Sequence, residues 1–270
     1  QSLADHAGRF MAKIGDRKVG IPLLVHRRCT EPMFSIANKI AYDNKMVMAS
    51  PPFSWPAIPS GWIHVEEQPD AITRPGYANT AEAVTALKVV EFLVVQHPQM
   101  VAGGVYIITP FSKMRVELQT CCKKLLQNAN NHAWMQQALG KDKAHTAKPD
   151  QFFKENIGTV HTFQGKEAST VIFCTAASKA RKNTGGISWV NGKPNLLNVA
   201  VTRAKHHLFV LGNRVDWAQG GLSSDLQNTG MQHFDSFESF IQQQPSDFSE
   251  HQLVQTPLVD AASKITFNLI

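Results

Sequence analysis

No apolar run in the chain approaches the roughly 18 residues that a membrane-spanning helix requires. The longest candidates are broken by Lys, Glu or His within a few positions, which argues against an integral membrane protein. No basic segment followed by an apolar stretch and a cleavage site opens the sequence, and its first residue is Gln1 rather than Met, so it reads as an excerpt of an intracellular protein, cytoplasmic or, in a eukaryote, nuclear. A phosphate-cradling G-x-x-x-x-G-K-[ST] loop is also missing. Gly165-Lys166 is followed by Glu167, and Gly192-Lys193 by Pro194. The four cysteines, Cys29, Cys121, Cys122 and Cys174, show neither C-x-x-C spacing nor a paired His at zinc-ligand distance, which leaves buried free thiols. His206 and His207 alternate across a strand and cannot share a metal, so no metal site is expected.

The 270 residues, 43% of them hydrophobic and 18% charged, are enough for one large folded domain or two small ones. The net charge of +6 is unevenly spread. Residues 1–100 carry 10 basic and 9 acidic side chains, residues 101–214 carry 16 and 5, and residues 215–270 carry 1 and 7. A basic body of +11 followed by an acidic end of −6 points to a polyanionic partner such as nucleic acid or nucleotide phosphate.

Apolar segments and helix signals alternate. Leu23-Leu24-Val25 reads as a strand, followed by a helix that Thr30 can cap and Pro32 can open, with Met33, Ile36, Ala37 and Ile40 on one face. The proline-rich stretch after Met48 reads as a surface loop. Trp62 to Val65 is a second strand, and Asn79 with Glu82 offers a capping box for a helix reaching about Gln96. Val105 to Ile108 is a strand and Met114, Leu118, Cys121 and Leu125 are one stripe of a helix. Ile157 to Val160 and Val171 to Cys174 read as two strands flanking one short crossover. Lys179 to Pro194 reads as a basic mobile loop, Leu196 to Ala204 as a helix and His207 to Leu211 as a strand. Such alternation predicts an α/β, doubly wound and mostly parallel sheet with helices on both faces. Residues 1–214 form the predicted domain, and 215–270 an acidic extension with a helix near Phe234 to Gln243 and an apolar end, Ile265 to Ile270.

In such sheets ligands sit beyond the carboxyl ends of strands, which draws attention to Arg27, Thr109, His161 and Gln164. Three segments then acquire meaning from their order: Leu24-Val25-His26-Arg27-Arg28, Thr159-Val160-His161-Thr162-Phe163-Gln164-Gly165-Lys166-Glu167, and Asn198-Val199-Ala200-Val201-Thr202-Arg203-Ala204-Lys205. They follow the order of three late motifs of superfamily 1 helicases. Over residues 20–214 the chain resembles the second RecA-like motor domain of that superfamily, in the branch of the nonsense-mediated-decay and Dna-two-like helicases.

The resemblance implies a RecA-like fold, and Arg203 and Arg27 as arginine fingers that stabilise charge on a transferring phosphoryl group. Arg28 is the alternative to Arg27. It implies that Gln164, Gly165 and Glu167 form a turn facing the nucleotide, and that Thr159, His161 and Thr162, with Thr109 and Pro110 nearby, contact the backbone of single-stranded DNA or RNA. His26 and Phe111 stand where the family has Tyr. ATP and Mg²⁺ would be bound mainly by an N-terminal RecA-like domain of the same polypeptide, so that this chain alone would not hydrolyse ATP. A catalytically inactive scaffold that binds nucleic acid or protein is the alternative.

The charge distribution generates one prediction. Affinity for a labelled single-stranded oligonucleotide, followed by fluorescence anisotropy, falls about tenfold or more between about 50 and 200 mM salt, as expected for about three phosphate contacts. Salt-independent binding would contradict the electrostatic reading.

Overall fold

The computed structural model describes residues 12–14, 17–19, 24–51, 58–66, 76–139, 148, 150–179 and 185–243. The proline-rich 52–57, Arg181, Lys182, most of the polar stretch 141–149 and the apolar end Ile265 to Ile270 lie outside the described residues.

Six strands form one sheet in the order β10-β5-β9-β8-β6-β7: β5 (Gly61–His64), β6 (Val105–Thr109), β7 (Ile157–Thr159), β8 (Ala168–Cys174), β9 (Ala204–Gly212) and β10 (Gln232–Phe234). Every pairing in it is parallel. A parallel sheet must be covered on both faces, and its central strands lose the polar alternation of half-exposed ones. β8 is buried at every residue, which explains the unbroken Val171-Ile172-Phe173 run. Two smaller pairs stand apart: β1 (Ala12–Ile14) against β2 (Arg17–Val19), and β3 (Val25–His26) against β4 (Val47–Met48).

Two hydrophobic cores sandwich the sheet. On one face pack α2 (Thr80–Gln96), α3 (Ser112–Leu125), α4 (His132–Gln137) and α5 (Gln151–Glu155), through Leu87, Val90, Met114, Leu118, Trp134 and Phe152. On the other pack α1 (Met33–Ala41), α6 (Gly185–Asn191), α7 (Pro194–Val201) and α9 (Leu222–Asn228), through Met33, Ile36, Ile187, Leu197 and Leu226. Half of the predicted capping box forms, since Asn79 Oδ1 accepts from the Glu82 N–H at 3.2 Å, while the Asn79 N–H donates to Met114 Sδ and Glu82 Oε1 accepts from the Asn79 side-chain amide instead. Buried Glu82 also accepts from the Ala176 N–H at 2.8 Å, which ties the start of α2 to the chain leaving β8 where Ala176 adopts a φ of 53°.

Several elements differ from the sequence reading. Thr30 does not cap α1. The helix begins at Met33 without a side-chain cap, and the Thr30 hydroxyl donates to the Lys205 carbonyl instead. Val25–His26 stays out of the main sheet. β7 and β8 are not neighbours, because β6 lies between them. The supposed loop before Pro194 contains α6, a helix whose Ile187 and Val190 are anchored in the second core.

Nor does the fold stop at residue 214. α8 (Arg214–Trp217) and α9 follow β9, and β10 then adds to the sheet edge beside β5. Trp217, Phe234 and, from α10 (Phe237–Gln242), Phe240 are fully buried. The Phe240 ring meets Phe234, Phe209 and Phe92 edge-on at 5.1, 5.4 and 5.6 Å between centroids. Phe234 and Phe240 thus complete the first core and Trp217 the second. Phe240→Ala should therefore lower the unfolding free energy by about 3–5 kcal/mol in urea titration. A loss under about 1 kcal/mol would place this helix outside the cooperative core.

Candidate functional site

The amino end of β9 organises the site. The Thr30 N–H and hydroxyl both donate to the Lys205 carbonyl, at 2.9 and 3.1 Å, which pins the chain just after Arg27-Arg28 against the sheet. Within that segment His26 Nε2 accepts from the Cys29 N–H at 3.0 Å and lies 3.0 Å from Cys29 Sγ. The turn closed in this way leaves Arg27 and Arg28 exposed, while Cys29 is buried beneath them. Buried Asn38 folds the loop after α1 back on itself, accepting from the Met46 N–H at 2.8 Å and donating to the Met46 carbonyl at 3.2 Å.

These anchors enclose a cleft of about 490 Å³ lined by Val25, His26, Arg27, Arg28, Tyr42, Met46, Glu167, Asn198, Val199, Thr202 and Arg203. It brings together Arg27, Arg203 and Glu167, which are far apart in sequence. Its position departs from the general expectation that ligands sit beyond the carboxyl ends of strands. Glu167 immediately precedes β8 and Arg203 immediately precedes β9, so this cleft opens at the amino ends of the central strands and not beyond their carboxyl ends.

Arg203 forms its floor and is only 3% exposed. Its Nε donates to the Val199 carbonyl at 2.9 Å, Nη1 to the carbonyls of Lys166 at 2.8 Å and Phe163 at 3.4 Å, and Nη2 to Thr202 Oγ1 at 3.3 Å. Four of the five guanidinium N–H groups are thereby committed to the chain's own oxygens. Burial lowers the pKa of Arg203, the Arg28 charge adds to that, and Glu167 opposes it. Glu167 is itself paired with Lys205 at 2.6 Å. Burial and then Arg28 also lower the pKa of His26, which favours a neutral imidazole, and burial pushes the Cys29 thiol up to about 12. The charge facing the cleft is thus mainly guanidinium, which suits an anion with several oxygen acceptors.

The remaining predicted residues lie elsewhere. Gln164 and Gly165 are exposed on the turn leading to Glu167 and do not line the cleft. Gly165 has a φ of 87°, and a Cβ there would meet nothing within 4 Å, so backbone conformation is what favours glycine. Thr159 and Thr162 place their hydroxyls 3.2 Å apart after β7, and His161 beside them is exposed rather than part of the core. Thr159 pairs in register with Thr109 of β6. Thr109 corrects the expectation of a surface contact, because it is fully buried and its hydroxyl accepts from the Phe111 N–H at 3.3 Å, shaping the turn at partly exposed Pro110. The cysteines are free and buried, and among the described residues no cluster of His, Cys, Asp or Glu could hold a metal.

Sequence reasoning missed Tyr42, Met46, Asn198, Val199 and Thr202 as cleft residues. The last three lie inside the Asn198-to-Lys205 segment, where spacing could have found them. Tyr42 and Met46 carry no local signal, since the tertiary fold of the Asn38 loop delivers them.

A wholly parallel sheet covered on both faces, with an arginine-floored cleft at one end and hydroxyl-bearing turns at the other, defines a doubly wound α/β domain. The chain belongs to the AAA domain family, which it matches over residues 17–215. It is 31% identical over 152 residues to "Putative ATP-dependent RNA helicase ECM32" of Saccharomyces cerevisiae and 29% identical over 137 residues to "ATP-dependent helicase upf1" of Schizosaccharomyces pombe. Each match covers 51% of this chain but only 13% and 12% of the respective relative. The C-terminal domain of a possible DNA helicase from Lactobacillus plantarum WCFS1 superposes with a TM-score of 0.41 and 12% identity, over 77% of this chain and 98% of that one. The superfamily 1 helicase resemblance carried by the three segments agrees with the two helicase relatives.

The wiring of Arg203 makes it structural as well as site-forming. Arg203→Ala should lower the unfolding free energy of the chain by about 2–4 kcal/mol, because buried carbonyls lose a charged donor. Chemical denaturation reads this directly, and unchanged stability would mean that the guanidinium is not held by the main chain in solution.

Proposed function

We propose that this chain is the second motor domain of an ATP-dependent nucleic-acid helicase or translocase, and that its arginine-floored cleft faces the phosphates of ATP bound mainly on a preceding RecA-like domain. The observation that carries the reading is the convergence of Arg27, Arg28, Arg203 and Glu167 on one cleft in a chain with no phosphate-binding loop of its own. Arg203 would act through its positive charge and its one uncommitted N–H, its guanidinium fixed before nucleotide arrives, so that little reorganisation accompanies charge development on the γ-phosphoryl oxygens. The exposed Arg27 and Arg28 would close onto the phosphates as the two domains approach. The cleft suits phosphate and offers no ligand set for Mg²⁺, which would be held with the nucleotide by the partner domain.

The hydroxyl-bearing turns around Thr159 and Thr162 lie toward the carboxyl end of β7 and support a grip on single-stranded nucleic acid there, with Arg203 and Glu167 at the amino ends of β9 and β8. Gln164 and Gly165 would couple the two, because the chain from Val160 to Glu167 runs from the carboxyl end of β7 to the amino end of β8.

The test is steady-state ATP hydrolysis in the parent protein at saturating single strand, beside strand affinity without ATP. Arg203→Lys, which keeps the charge but not the fork of donors, and Arg27→Ala should each slow hydrolysis by about a thousandfold, about 4 kcal/mol of transition-state stabilisation, with strand affinity nearly unchanged. A severe Arg28→Ala defect beside a mild Arg27→Ala one would exchange their roles. The chain alone should show no turnover above background. Near wild-type hydrolysis in all three variants would remove the finger assignment and favour a non-catalytic scaffold.

A further inference from the structure

At the carboxyl ends of the strands, opposite the arginine cleft, lies an aromatic step. Thr109 ends β6, and the turn that its hydroxyl closes presents Phe111. Phe111 packs on Tyr77 at 4.4 Å and on Trp189 at 5.7 Å between ring centroids. Trp189 is carried by α6, whose position is set by Ile187 and Val190 in the core and by Gly186, where any Cβ would lie 2.6 Å from the Tyr77 ring. The helix thereby turns Trp189 outward. The indole is 43% exposed, whereas Trp62, Trp134 and Trp217 are at most 6% exposed. Those three donate their indole N–H to Gly212, Asn131 and Ala177.

An exposed tryptophan held on the Phe111 ring, which itself packs on Tyr77, is poorly suited to water and well suited to a flat partner. Its surroundings are cationic. Lys193 Nζ lies over the indole, 4.9 Å from the ring centroid, and the Lys113 stem runs beside Gly76, next to Tyr77. An exposed indole whose face already attracts an ammonium group is complementary to a base attached to a phosphate backbone, onto which that ammonium can move. The step also adjoins the predicted backbone grip, since Thr109, two residues before Phe111, pairs in register with Thr159.

We propose that Trp189, seated on Phe111, is a stacking site for one base of single-stranded nucleic acid. Lys193 and Lys113 would hold the flanking phosphates. The inference rests on the nucleic-acid reading above and adds to it a base contact where that reading supplies backbone contacts alone. A protein surface, such as the preceding domain, is the competing occupant.

The experiment titrates the full chain with a short oligothymidylate and with an abasic strand of equal length and charge, reading anisotropy and intrinsic tryptophan fluorescence. Oligothymidylate should bind the wild type about 5- to 100-fold more tightly than the abasic strand and quench its fluorescence. Trp189→Ala should bring the two affinities together. Trp189→Phe should keep most of the preference while losing the quenching. Equal affinity of the wild type for both strands, or an unchanged preference in Trp189→Ala, overturns the stacking site while leaving backbone binding intact, and the face would then belong to a protein partner. If the wild type binds neither strand at low salt, the nucleic-acid reading itself fails and the stacking site with it.

Discussion

A guanidinium withdrawn from water must place its N–H groups on other acceptors, and the way Arg203 does so determines the geometry of the site around it. Its donors reach Phe163 and Lys166 on the turn before β8, and Val199 and Thr202 at the end of α7. Its own carbonyl accepts from the Ala168 N–H at 3.0 Å, so the backbone at the start of β8 is fixed by the same residue. A change at Arg203 would therefore disturb both sides of the cleft. The exposed Arg27 and Arg28 lack this constraint and depend on Thr30 and Lys205 for their approach.

The parallel sheet separates two kinds of chemistry by direction. Arg203 and Glu167 precede their strands, while Thr109 and Thr159 end theirs. The segment from Val160 to Glu167 joins the carboxyl end of β7 to the amino end of β8, and its buried Val160 and Phe163 lock it against the sheet, with Phe163 also packing on Tyr106 at 4.3 Å. Under the proposed function, this packed segment would be the shortest route between the nucleotide and strand sites.

Much of the domain was legible in its residues. The Val171-Ile172-Phe173 run announced a strand buried on both faces, and Asn79 with Glu82 announced the start of α2, because hydrophobic periodicity and capping act over a few residues. Arg27, Glu167 and Arg203 could be selected from short segments because each lies in a distinctive local pattern. The same local reading misplaced Thr30 as a cap and treated α6 as a loop. In both cases the deciding partners, the Lys205 carbonyl and the second core, lie far away in the chain.

By itself the sequence determined the alternating α/β class, the lack of a phosphate-binding loop, the basic body and the identity of the arginines. Only the tertiary structure decided that Gln232–Phe234 completes the sheet, that Tyr42 and Met46 wall the cleft, that Thr109 is buried and that Trp189 is exposed. The physical reason is one of range. Periodicity, capping and charge are properties of neighbouring residues, whereas burial and the direction of a side chain depend on what the rest of the chain brings against it.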